Sequence, residues 1–144
     1  MSDYGTDILE WSEHQALLLR HIAAGERLPA NDTPDWTNII DEVESVGRSQ
    51  VDAVESLLFQ ALVHMLKAEG WPLSRDVENW RGDARGFRLQ ARRRYQKSMR
   101  EKLDVPGLYA DALQALPTSM DGLPPLPLSD VCPVTLEEML SDPA

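Results

Sequence analysis

The chain has 144 residues, a net charge of −10 and one cysteine. So acidic a body argues against general polyanion binding, a single thiol excludes an internal disulfide, and no apolar run is long enough to cross a bilayer. With 42% hydrophobic and 26% charged residues the composition is that of a folded protein, so low-complexity and disordered architectures are set aside and one compact domain over residues 1–144 is expected. The opening thirty residues lack the basic, apolar and small-residue succession of a secretory signal, and with the lone Cys132 this points to a reducing cytoplasm.

Four helical stretches follow from punctuation and periodicity, and no run of alternating β-branched residues sits between hairpin turns, so the class is all-α. The first helix opens at Asp7, with Glu10 three residues on as in a capping box, and stops at Gly25. Its apolar stripe is Tyr4, Ile8, Trp11, Leu18 and Ile22. Gln15 falls within that stripe, so its amide needs a partner in the interior.

The second helix has Thr33 as expected N-cap, Pro34 at its first position and Asp35 in its first turn, and it ends near Gly70. Trp36, Ile39, Ile40, Val43, Val46, Val54, Leu57, Leu58, Ala61 and Met65 share one face and are the expected buried stripe. At about 1.5 Å per residue the helix would run roughly 50 Å, which makes Gly47 and Ser49 candidate break points. The third helix follows Pro72, with Ser74 as N-cap, Asp76 and Glu78 in the first turn, and a stripe of Val77, Trp80, Ala84, Phe87, Ala91, Tyr95 and Met99.

A fourth helix is expected over Leu108–Leu116, after Pro106 and Gly107. Five prolines then make residues 117–133 an extended strap. Thr135-Leu136-Glu137-Glu138 is a second capping box that starts a short terminal helix over 134–142. The expected architecture is a four-helix-type bundle closed by the strap and that helix.

The run Asp35-Trp36-Thr37-Asn38-Ile39-Ile40-Asp41-Glu42-Val43-Glu44-Ser45-Val46-Gly47-Arg48-Ser49 resembles the most recognisable motif of a bacterial family known as domain of unknown function twenty-nine. Asp7, Trp11 and Gln15 resemble its opening helix, and His64-Met65-Leu66-Lys67 its His-Leu-Leu-Lys stretch. Trp80 and Arg88 match its third helix, and Cys132-Pro133-Val134-Thr135-Leu136-Glu137-Glu138 its closing segment. The resemblance covers nearly the whole chain and implies a single helical-bundle domain in a bacterial setting. It brings no assigned activity. Around Tyr109-Ala110-Asp111-Ala112 only the later part of the family's longer fourth helix is matched.

Chemistry-bearing residues are sparse. Glu42 and Glu44 fall on opposite shoulders of the second helix, so they form no paired-carboxylate site, and Glu44 with Arg48 reads as a surface ion pair. His64 lies at the edge of the apolar stripe with Lys67 a turn beyond. A straight helix would keep it about 33 Å from Glu42. His14 and His21 are two turns apart, too far to share a metal, and Cys132 has no second thiol beside it. Gly82 and Gly86 sit in a helical pattern and are expected to permit close helix contact.

Charge is segmental. Residues 75–102 hold ten of the fourteen Lys and Arg and carry +6 against −16 for the remainder. Arg81, Arg85, Arg88 and Arg92 form a basic ridge beside the third helix's apolar stripe, which the acidic second helix is expected to neutralise. The reading that follows is a binding or regulatory module with a polar seam between the second and third helices. Glu42, His64, Lys67, Trp80, Arg85 and Arg88 are the ligand- or partner-binding residues. No metal or cofactor is implied, and a protein partner or self-association is. Two other readings compete: a metal-dependent, hydrolase-like enzyme with an interhelical Glu/His site, and a weak nucleic-acid binder through the arginine-rich third helix, against which the overall charge argues.

Overall fold

The computed structural model describes residues 4–141 and confirms the all-α class: its regular elements are helices, with no strand among the described residues. They are α1 (Ile8–Ala23), α2 (Trp36–Gly70), α3 (Val77–Arg94), a 3-10 segment (Lys97–Lys102), α4 (Val105–Ala115) and α5 (Leu136–Leu140). Asp142, the last residue of the expected terminal helix, lies outside the described residues. The chain forms two compact units, Met1–Arg48 and Ser49–Ala144, and α2 contributes to both without interruption at Gly47 or Ser49. No helix among the described residues is long and apolar enough to cross a membrane.

In the first unit α1 starts as its capping signal predicts. The Asp7 carboxylate accepts the Glu10 amide at 3.0 Å, satisfying one of the donors a helix leaves unpaired at its start. At the other end Gly25 adopts φ +72°, a left-handed conformation that a side chain would strain, and the Glu26 amide returns to the His21 carbonyl at 2.9 Å. Trp11, Gln15 and Leu18 are buried. The buried amide finds its partner: Gln15 Oε1 accepts the Asp35 amide at 2.7 Å, while the Trp11 indole donates to the Asp35 carboxylate at 2.9 Å. Asn38 donates to the same carboxylate at 2.8 Å. Asp35 is thereby held just ahead of the helix, which begins at Trp36 rather than at Pro34.

The expected burial of this unit's apolar stripes is only partly met. Ile8 and Ile22 are exposed on α1, and Trp36, Ile40, Val43 and Val46 are exposed on α2. The hydrogen bonds made to this segment fall on acids, Asp35 just ahead of α2 and Asp41 and Glu42 on it, and the apolar face is left uncovered.

In the second unit the same helix is buried along Val54, Leu58, Ala61, Leu62 and Leu66. Ala91 of α3, Met99 of the 3-10 segment, Leu103, Tyr109 and Ala112 of α4 and Met139 of α5 complete this core. α3 begins at Val77, two residues later than a Ser74 cap requires, because Ser74 closes a turn instead: its hydroxyl accepts the Asp76 amide at 3.1 Å and its carbonyl the Val77 amide at 3.2 Å. It ends at Arg94, where Tyr95 turns extended, and the 3-10 segment beyond returns Met99 to the core. Gly86 faces open space rather than a neighbouring helix.

α4 starts three residues earlier than expected. Asp104 caps it by accepting the Gly107 amide at 3.1 Å, and Pro106 occupies the first turn, where no amide donor is needed. A side chain at Gly107 would collide with that carboxylate, so the cap and the glycine require each other. The strap is pinned where its prolines leave amides and carbonyls free. The Trp71 indole donates to Leu123 O at 2.9 Å, the Leu126 amide to Gly70 O at 2.9 Å, and the Tyr109 hydroxyl to Ser129 O at 2.5 Å. Asp121 and Gly122, at φ 52° and 79°, form the tight turn between Met120 and Leu123.

The terminal capping box forms as predicted: Thr135 Oγ1 accepts the Glu138 amide at 3.1 Å, and the Glu138 carboxylate accepts the Thr135 amide at 3.3 Å. It presents Met139, 1% exposed, to the core. Replacing Met139 by Ala is expected to lower the unfolding free energy by about 2–5 kcal/mol in urea titrations, whereas Leu73→Ala, at a side chain 98% exposed, should change it by less than about 0.5 kcal/mol.

Candidate functional site

The six residues expected to bind a ligand or partner are placed as follows. Glu42 lies in the first unit, where the Tyr4 hydroxyl donates to it and, at 3.5 Å, to Asp41. The Tyr4 ring packs edge-on against Trp11 with centroids 4.7 Å apart. The hydrogen bond to Glu42, partial burial and the two carboxylates together oppose formation of a phenolate, so the Tyr4 hydroxyl is pushed up from 10.0 to about 12. This is a structural contact between the segment ahead of α1 and α2.

His64 lies in the second unit and is half-buried. Its Nδ1 is 2.7 Å from Gln60 O, a carbonyl that can only accept, so Nδ1 carries the proton. Nε2 points toward Asp83 of α3 at 3.8 Å, and the ring lies against Phe87 with centroids 5.4 Å apart. One carboxylate beside one imidazole is an interhelical contact. Among the described residues no group of three or more His, Cys, Asp or Glu side chains is gathered that could hold a metal. His14 and His21 each face a single carboxylate, Asp32 at 3.1 Å and Glu26 at 2.9 Å. The Cys132 thiol donates to Val134 O at 3.2 Å and packs on the core.

Arg88 proves to be a structural cap. Its Nε donates to Met139 O at 3.1 Å and its Nη2 to Glu138 O at 2.8 Å. The planar guanidinium thus spans two carbonyls in the last turn of α5, where positive charge is favoured, and shares Glu138 O with the Ser141 amide and hydroxyl at 3.3 and 2.7 Å. Arg100 adds an ion pair to Glu137 at 2.8 Å. Elsewhere on the ridge Arg81 pairs with Glu78 of its own helix at 2.7 Å, and Arg85 and Arg92 are exposed. On α2, Asp41 and Glu44 lie 3.6 and 3.9 Å from Arg48 of the same helix. Lys67 and Trp80 are half-buried.

A concave feature of the second unit lies elsewhere, at the turn between α2 and α3 where the strap crosses. It is a groove of about 760 Å³ whose floor and walls include Trp71, Leu73, Met120, Leu123 and Leu126, with Arg75 and Asp121 as its charged members. Trp71 is buried and tethered to Leu123, while Leu73, Leu123 and Leu126 are exposed. Four prolines, Pro72, Pro124, Pro125 and Pro127, also line it and contribute no amide donors. Gly70 is needed at its back, because a side chain there would press on Pro125 at 3.1 Å. No periodic signal could have disclosed this groove, since it joins residues 70–75 to residues 120–127.

The sequence profile described as "Domain of unknown function DUF29" matches residues 4–143. The chain belongs to the DUF29 family. No curated protein matches it significantly. This DUF29 protein is also similar to an alpha-helical protein of unknown function from Rhodospirillum rubrum, known from a crystal structure, with 24% identity over 97% of this chain and 90% of that one and a TM-score of 0.67. That likeness establishes a shared fold.

Two outcomes test the assignments within this DUF29 chain. Because the folded state raises the Tyr4 ionisation, the Tyr4 contact contributes fully below pH 10 and is lost as pH rises through about 12. A spectrophotometric titration should therefore contain a late tyrosinate component that disappears in Tyr4→Phe. Arg88→Met should weaken the closure of α5 by about 1.5–3 kcal/mol, and Arg88→Lys, which cannot span two carbonyls, should recover less than half. Amide hydrogen exchange of residues 136–140 reports both.

Proposed function

We propose that this protein is a binding or regulatory module of the bacterial cytoplasm that acts through contacts, and that the groove beside Trp71 accepts a small, largely apolar molecule. The observation that carries the reading is the lining of the groove: exposed leucines and proline rings around a buried indole, with one charge of each sign. A volume of about 760 Å³ falls in the range of small-ligand sites, which are mostly apolar and orient their ligand by a few polar groups. The prolines favour this over a peptide added as a strand, since strand addition needs a row of backbone donors. Arg75 and Asp121 would orient the ligand's polar end. The arrangement around His64 supports an enzyme less well, as it combines an imidazole with one exposed carboxylate and no positioned nucleophile among the described residues.

Titration with the fluorescent apolar anion anilinonaphthalene sulfonate tests the proposal. The expected result is saturable, one-to-one binding with a change in tryptophan emission, weakened at least about ten-fold in Leu73→Glu. Leu73 is fully outside the core, so the variant should keep its helicity. Unsaturable binding, or equal affinity in Leu73→Glu, would overturn the assignment.

A further inference from the structure

Within the first unit the buried apolar residues among those described are Trp11, Leu18 and Pro34, while eight large apolar side chains are exposed. Four of these are on one segment of α2: Trp36, Ile40, Val43 and Val46, at 50%, 55%, 68% and 65% exposure. At about 100° per residue, Trp36, Ile40, Val43 and Gly47 fall within an arc of roughly 60°. Asn38, Asp41 and Glu42 fall well away from that arc, and they bond Asp35, just ahead of the helix, and Tyr4, while Asp35 itself is held by Trp11 and Gln15 of α1. The helix has therefore spent its polar face internally and turned its apolar face out.

We propose that this face is a homodimer interface, in which α2 of one copy packs antiparallel against α2 of a second copy around a two-fold axis between Ile40 and Val43. The spacing selects this occupant. Trp36, Ile40, Val43 and Gly47 are separated by four, three and four residues, a pattern that reads the same in both directions. Antiparallel pairing brings Ile40 opposite the second copy's Val43 and sets Trp36, the largest side chain, opposite Gly47, which has none. A side chain at Gly47 would meet nothing within 4 Å in the isolated chain, so the space an indole would occupy is open. An exposed mid-helix glycine otherwise lowers helix stability to no benefit. On one flank Ile39 and Val46 lie beside this arc and widen the apolar strip. Such an interface is isologous, as closed dimers require.

The area is also adequate. The four exposed side chains offer on the order of 450 Å² of apolar surface per copy. In a homodimer interface about 65% apolar, this corresponds to roughly 700 Å² per copy, near the ~800 Å² of a stable complex.

Sedimentation velocity of the full chain over a concentration series tests the proposal, with circular dichroism confirming that each variant remains helical. The wild type should dimerise with a micromolar dissociation constant, and Ile40→Lys and Val43→Glu should each weaken it at least about ten-fold. Mixing these two variants should restore a dimer, because the antiparallel register sets position 40 against position 43. Gly47→Leu should weaken the dimer by a similar factor while leaving helicity equal or higher, since it fills the place of the partner's Trp36. A wild type monomeric up to about 0.5 mM, or a dimer unmoved by Ile40→Lys and Gly47→Leu, would overturn the interface. Failure of the mixture to dimerise would overturn the antiparallel register.

Discussion

Burial of one face of α2, from Val54 through Leu58, Ala61 and Leu62 to Leu66, is the constraint on which the second unit depends. Two of the elements around it are short: α4 has 11 residues and α5 has five. Helices of these lengths do not persist alone in water, because nucleation costs more than a few hydrogen bonds return. They exist here because Tyr109, Ala112 and Met139 exchange water for the α2 face. The apolar gain on that face therefore holds the secondary structure around it as well as the tertiary packing.

What the apolar core does not do is orient α5, and there the polar contacts become decisive. Thr135 and Glu138 satisfy the amides at its start, and Arg88 takes two carbonyls at its end. A five-residue helix has more unpaired backbone groups at its termini than hydrogen bonds within it, so caps at both ends determine whether Met139 can enter the core. The strap uses the same logic with aromatic residues. Trp71 and Tyr109 bury their rings and spend one polar atom each on a strap carbonyl. Between those pins the prolines have no amides to satisfy and form an apolar wall, and the groove follows from that wall.

Much of this was legible in sequence because capping is local. Asp7 with Glu10, Gly25, and Thr135 with Glu138 each state their geometry within four residues, and Gln15 announced a buried amide by its place in an apolar stripe. The start of α4 was misread because Pro106 and Gly107 resemble a loop unless Asp104 is recognised as the cap that makes both useful. The role of Arg88 was beyond reach for a different reason. An arginine beside an apolar stripe looks the same whether its fork meets a ligand or two carbonyls fifty residues away along the chain. The same holds for Glu42 and His64, which belong to different units and have Tyr4 and Asp83 among their neighbours.

Periodicity establishes which residues share a face of a helix and is silent on what covers it. α2 demonstrates this with one continuous stripe that meets two fates: buried over Val54–Leu66, exposed over Trp36–Val46. In the first unit the side of the helix turned inward is held by hydrogen bonds among Trp11, Gln15, Asp35, Tyr4 and Glu42. Such bonds contribute little net stability, because water would make them too, but they are costly to leave unmade and so fix which residues meet. A unit organised this way is specific without being strongly driven. Its outward apolar face is then the remaining source of hydrophobic free energy, and it becomes available only when a second surface removes that face from water.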